Sequence, residues 1–146
     1  MLKTLLKLNL PTLQKNLEAI VEDLLTEVAD QHQCNPFDLQ LILTKVEQQA
    51  LGKIYDSDNN CLHQLNAAQL LEDLFYLQLE QLPAVVQKLV QKQVGTINIQ
   101  DFIIEQLETM NLLIRYNDAC QLQLFKITTA GTDPIDLTAF FANLEL

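Results

Sequence analysis

The sequence predicts a mainly α-helical fold carrying small β-hairpins, and three observations predict it. Helix-start signals recur at Pro11, Asn35-Pro36, Asn66, Pro83, Asn98 and Asp133-Pro134. Apolar residues at three-and-four spacing follow these signals, as on the buried face of a helix. Two stretches, 53–65 and 112–127, instead flank polar turns in the manner of hairpins. A chain of 146 residues fits one compact domain, 1–146, or two small parts that share a core, 1–65 and 66–146. Its 49% apolar content is enough to bury a core without covalent staples.

Taken in order, residues 2–8 fit a short helix or an edge strand. A helix over 11–30 follows, with Pro11 in the first turn, where its missing N–H costs nothing. Leu13, Leu17, Ile20, Leu24 and Val28 form its apolar stripe, Val21 and Leu25 widen it, and Glu18, Glu22, Asp23 and Glu27 lie on the polar side. Asn35 is placed to cap a second helix, with Pro36 first and Asp38 three residues after the cap. Leu39, Ile42, Leu43 and Val46 would be its apolar face, and Gly52 its left-handed terminator. Lys53-Ile54-Tyr55 and Cys61 to Leu65 then flank the polar run 56–60 as a hairpin. Asn66 caps a helix to about 79, whose Leu70, Leu71, Leu74, Phe75 and Leu77 cover several faces and place it centrally. Pro83 opens a helix to 93, with Val85, Val86, Leu89 and Val90 inward. Asn98 caps a helix to 110 with Phe102, Ile103, Leu107 and Met110 buried. Leu112, Ile114 and Tyr116 share one face of a strand, Leu122 and Leu124 a face of the next, and Asn117-Asp118 supplies the turn. Residues 128–133 read as a loop, and a last helix carries Ile135, Leu137, Phe140, Phe141 and Leu144.

Charge restricts the function. Nine Lys plus Arg stand against nineteen Asp plus Glu, a net charge of -10, and Arg115 is the single arginine. Such a field repels nucleic acid and anionic membranes, and phosphate binding draws on cations the chain lacks. Cys34, Cys61 and Cys120 form no disulfide framework. No leader layout is evident, and the apolar runs fall short of the roughly 20 residues that span a bilayer. The expected compartment is cytoplasmic.

Helices at 66–79, 83–93 and 98–110 followed by a ribbon at 112–127 resemble the winged-helix superfamily in element order. A fainter helix-then-hairpin echo at 36–65 has no residue-level identity with it. The resemblance implies a winged-helix-like core with extra N-terminal helices and a C-terminal helix, serving either DNA binding or protein docking. A DNA reader sets basic residues around its third helix. Here that helix presents Gln100, Asp101, Glu105 and Glu108, beside Arg115 and Tyr116 on the ribbon. Protein docking is therefore the reading favoured, similar in kind to the acidic accessory subunits of chromosome-organising complexes. Asp101, Glu105, Glu108, Arg115 and Tyr116 are the expected interaction residues, and the hairpin faces and the helix 11–30 further contact surfaces.

Other chemistries find less support. His32, Cys34, Cys61 and His63 have zinc-ligand types without the usual spacing. Asp56-Ser57-Asp58-Asn59-Asn60 begins like a calcium loop, then places Cys61 where glycine belongs and Ala67 where glutamate belongs. No phosphate loop, nucleophile elbow or metalloprotease helix occurs. Seventeen glutamines keep the surface polar without charge. The expectation is a non-enzymatic protein-interaction or regulatory module, without cofactor or metal, acting on a protein partner or as a homodimer rather than on nucleic acid or membrane. One alternative is a DNA-binding transcriptional regulator using Lys88, Lys92, Arg115 and Lys126. Others are a metal-dependent protein built on the His and Cys pairs, and an acidic inhibitor or DNA mimic that binds a basic protein surface.

Overall fold

The computed structural model describes residues 10–47, 49–94, 100 and 111–135. Helix α1 (Leu10–His32) leads through a 3-10 turn (Pro36–Asp38) into β1 (Gln40–Val46), β2 (Gln49–Tyr55) and β3 (Cys61–Asn66). Helices α2 (Ala67–Glu80) and α3 (Ala84–Val94) follow, then β4 (Asn111–Tyr116), β5 (Leu122–Thr128) and β6 (Gly131–Ile135). The six strands form one antiparallel sheet in the order β3-β2-β1-β4-β5-β6. The fold is thus α/β. This sheet overturns the expected mainly α class with a winged-helix-like core.

Three local features account for the difference. Asn35 does cap, its side chain accepting from the Phe37 N–H at 3.0 Å, but the turn it starts is a single 3-10 turn. Beyond it the apolar residues serve a strand: Leu39, Leu41 and Leu43 are fully buried on one side, at period two. The set Leu39, Ile42, Leu43 and Val46 fits helical spacing equally well, so spacing alone could not decide. β1 is held by non-local pairing, Leu43 lying opposite Gly52 of β2 and Leu112 of β4. The expected wing is likewise interior, since β4 pairs with β1 and β5 pairs with β6. The expected loop at 128–133 turns at Thr129-Ala130 and returns as β6, where Pro134 occupies an edge strand that tolerates its missing N–H. The expected last helix does not start at Asp133-Pro134, because these residues and Ile135 pair with β5 as β6; its remainder lies outside the described residues, as does the expected 98–110 helix apart from Gln100, which is helical.

Both main helices pack on one face of the sheet. Leu41 aligns with Ile54 and Ile114, and Ile114 with Leu124, a row that crosses the sheet beneath α1 and α2. Leu17, Val21, Leu25 and Val28 of α1 meet Leu71, Leu74 and Phe75 of α2 in the same cluster. Full burial of each such side chain contributes about 1.5–3 kcal/mol. α1 stops where Gln33 turns left-handed (φ 55°) and the Cys34 N–H donates back to the Ala29 carbonyl.

A buried amide pair fixes how the two helices meet. Asn16 Nδ2 donates to Gln78 Oε1 at 2.6 Å, and Gln81 Nε2 donates to Asn16 Oδ1 at 3.1 Å. Asn16 and Gln78 are both buried. Asn16→Ala would strip partners from these amides and is expected to cost about 1–3 kcal/mol in urea unfolding. No loss would mean that the pair contributes nothing to helix docking.

Candidate functional site

A groove of about 360 Å³ lies between α1, the end of β3 and the first half of α2. Its floor is apolar: Ile20 and Leu24 from α1, Leu65 from β3 and Leu70 from α2. Its rim is acidic, with Asp23 and Glu27 on α1 and Asp73 on α2, all three exposed. The groove exists because the apolar stripe of α1 is too wide for one contact. Leu17, Val21, Leu25 and Val28 take the core, leaving Ile20 and Leu24 half-buried on the flank. Residues 20, 23, 24 and 27 are spaced i, i+3, i+4, i+7 and therefore share one helix face. At the α2 side, Gln69 Nε2 donates to Asp73 Oδ1 at 3.0 Å. Gln100 Nε2 donates to Gln69 Oε1 and to Glu72 Oε2, each at 2.6 Å, which ties Gln100 to this helix.

The second feature is the outer face of α3. Helical spacing predicts Val85, Val86, Leu89 and Val90 inward; the structure divides them. Val90 is buried and Val86 packs against the core, whereas Val85 is 71% and Leu89 58% exposed. With Lys88 and Lys92, also exposed, they form another i, i+3, i+4, i+7 face, apolar and basic. Among the described residues neither lysine pairs with a carboxylate. Two faces therefore share one pattern with opposite charge: Ile20, Asp23, Leu24, Glu27 and Val85, Lys88, Leu89, Lys92.

The residues singled out in the sequence are scattered. Arg115 and Tyr116 are neighbours on β4 and so point to opposite sides of the sheet. Arg115 lies 4.8 Å over the Phe125 ring and lines a polar cleft at the sheet end with Gln40, Asp38, Asp118 and Gln123. Tyr116 meets Phe37 edge-on at 4.8 Å, and burial, reinforced by the nearby Glu22 and Asp23, raises its hydroxyl above the usual tyrosine value. Lys126 lies on the face opposite Arg115, because Arg115 registers with Gln123. Arg115 and Lys126 thus form no common basic patch with each other. Asp101, Glu105 and Glu108 lie outside the described residues.

Cys34, Cys61 and Cys120 are free and exposed, and among the described residues no group of three His, Cys, Asp or Glu side chains is arranged to hold a metal. The Asp56 carboxylate is engaged by its own loop: Oδ1 accepts from the Asp58 and Asn60 N–H groups at 2.9 and 2.8 Å, and Oδ2 from Asn60 Nδ2 at 3.2 Å. Asn117 builds the same turn on β4–β5, accepting from the Ala119 and Gln121 N–H groups, with Cys120 left-handed as Asn59 is. The Asn60 N–H, the other loop donors and the His32 charge hold the Asp56 carboxyl below the usual range. A depressed folded value stabilises the loop fully above the ordinary carboxyl value of about 3.9 and is lost as pH falls through the lower folded value. An NMR titration should show Asp56 titrating low, and Asp56→Asn, which copies Asn117, should keep the turn and remove its acid sensitivity. An ordinary value would contradict this account.

Among the described residues no helix is long and apolar enough to cross a membrane. Compared with known proteins, the chain matches no family model, no curated protein and no solved structure.

Proposed function

We infer that the protein is a non-enzymatic protein-interaction module whose groove docks an amphipathic helix bearing basic residues. The observation that carries this is the pairing of an apolar floor with an acidic rim on one surface. Helix-in-groove recognition uses apolar anchors at i and i+4, and the half-buried Ile20, Leu24 and Leu65 offer surface for them. The carboxylates of Asp23, Glu27 and Asp73 would meet cations placed beside those anchors. Exposed pairs of this kind contribute little affinity each, yet they choose among partners and set orientation. The net charge of -10 adds attraction for any basic partner at a distance.

A direct test uses a synthetic amphipathic helix with leucine at i and i+4 and lysine at i+3 and i+7, and a matched peptide with glutamate in place of lysine. The lysine peptide should bind and the glutamate peptide should not. Affinity should fall at least about tenfold, or 1.4 kcal/mol, in D23K/E27K and should weaken with added salt. Equal binding of both peptides, or of neither, would sink the proposal.

A further inference from the structure

The chain itself carries a segment with the chemistry the groove calls for. We propose that α3 of a second copy docks into the groove through Val85, Lys88, Leu89 and Lys92, and that the exchange is reciprocal. This inference rests on the docking reading above and names its occupant. The two faces have identical spacing: apolar at the first and fifth positions, charged at the fourth and eighth. On α1 the charges are Asp23 and Glu27; on α3 they are Lys88 and Lys92.

The pairing is between molecules. Among the described residues, Val85, Lys88, Leu89 and Lys92 are exposed, as are Asp23 and Glu27 on the groove rim, while Ile20 and Leu24 are half-buried. α3 leaves from the far end of α2, and its inner face, through Val86 and Val90, is already packed on its own core. Its outer face is therefore held as a ridge directed away from the molecule. A chain that bears both a ridge and a matching groove satisfies both by a two-fold exchange, in which each copy gives and receives one helix. The net charge of -10 per copy opposes unspecific association, so contact is favoured where the local charges are opposite.

Charge reversal separates this arrangement from any other dimer. The full-length chain, K88E/K92E and D23K/E27K would be measured alone and as an equimolar mixture of the two variants by light scattering and sedimentation. The wild type should be a dimer. Each variant alone places like charges at both contacts and should raise the dissociation constant at least about tenfold. The mixture should recover a dimer, because reversed lysines meet reversed carboxylates at one contact and native charges meet at the other. Recovery would also show that both variants are folded. A monomeric wild type at high concentration, a dimer indifferent to both variants, or no recovery on mixing would overturn the inference. The lysine peptide assayed on K88E/K92E distinguishes the two levels. Binding there with a monomeric wild type leaves the docking reading standing and removes this one; no binding there with a monomeric wild type removes both.

Discussion

Phe75→Ala is expected to lower the unfolding free energy by about 3–5 kcal/mol. Phe75 is 1% exposed, in the cluster where α2 meets α1 and the sheet. Its ring also meets the Tyr76 ring edge-on, with centroids 5.3 Å apart. Alanine would remove the ring's transfer energy and leave a cavity that α2 cannot close. Its neighbours Leu71 and Leu74 are tied to the same packing, and the Asn16–Gln78 pair fixes the helix against α1. Domains of this size are stable by about 5–15 kcal/mol, so the variant should remain folded but melt on the order of 10 °C lower. Urea unfolding followed by circular dichroism should shift its midpoint with little change in slope. A loss under about 1 kcal/mol would place Phe75 outside the core.

Gly52→Ala should destabilise by about 1–3 kcal/mol, the cost of overpacking, even though glycine-to-alanine changes in a strand ordinarily help. Gly52 lies in mid-β2, facing the core side with Leu43 and Leu65 as its cross-strand partners. A Cβ there would stand 2.8 Å from Leu65 Cγ and 3.1 Å from Leu43 Cδ2. Leu43 is fully buried and cannot yield, so the strain falls on Leu65, which is half-buried on the groove floor. The variant should therefore also weaken binding of the lysine peptide. In a double-mutant cycle the penalty should shrink on a Leu65→Ala background, because the two side chains compete for one space. Additive effects would mean that the clash is relieved elsewhere.

Gly52 also shows why the fold class misled. After a capped turn and an apolar run, a glycine reads as a helix terminator. Its role here is to let β2 pass close to Leu43 and Leu65. Only the sheet makes that role visible, because β1 owes its state to β4, whose Leu112 and Ile114 are distant in sequence. Local preference was divided between two periods at 39–46, and non-local pairing decided. The elements that depend on local signals were legible. α1, α2 with its Asn66 cap accepting from the Ala68 N–H, α3 and both hairpin turns all formed where caps, prolines and Asx residues placed them.

The candidate site divides in the same way. Both i, i+3, i+4, i+7 faces can be read in the sequence, but periodicity alone assigns every apolar residue of a helix to the core. α3 follows that assignment for Val86 and Val90 and breaks it for Val85 and Leu89. By itself, the sequence determined the acidic balance, the helices at 10–32, 67–80 and 84–94, and the turns at 56–60 and 117–121, because each depends on residues near in the chain. The tertiary structure decided the six-stranded sheet, the groove and which apolar residues stay uncovered. Those depend on contacts between segments far apart, and helical spacing says which residues share a face without saying what that face meets.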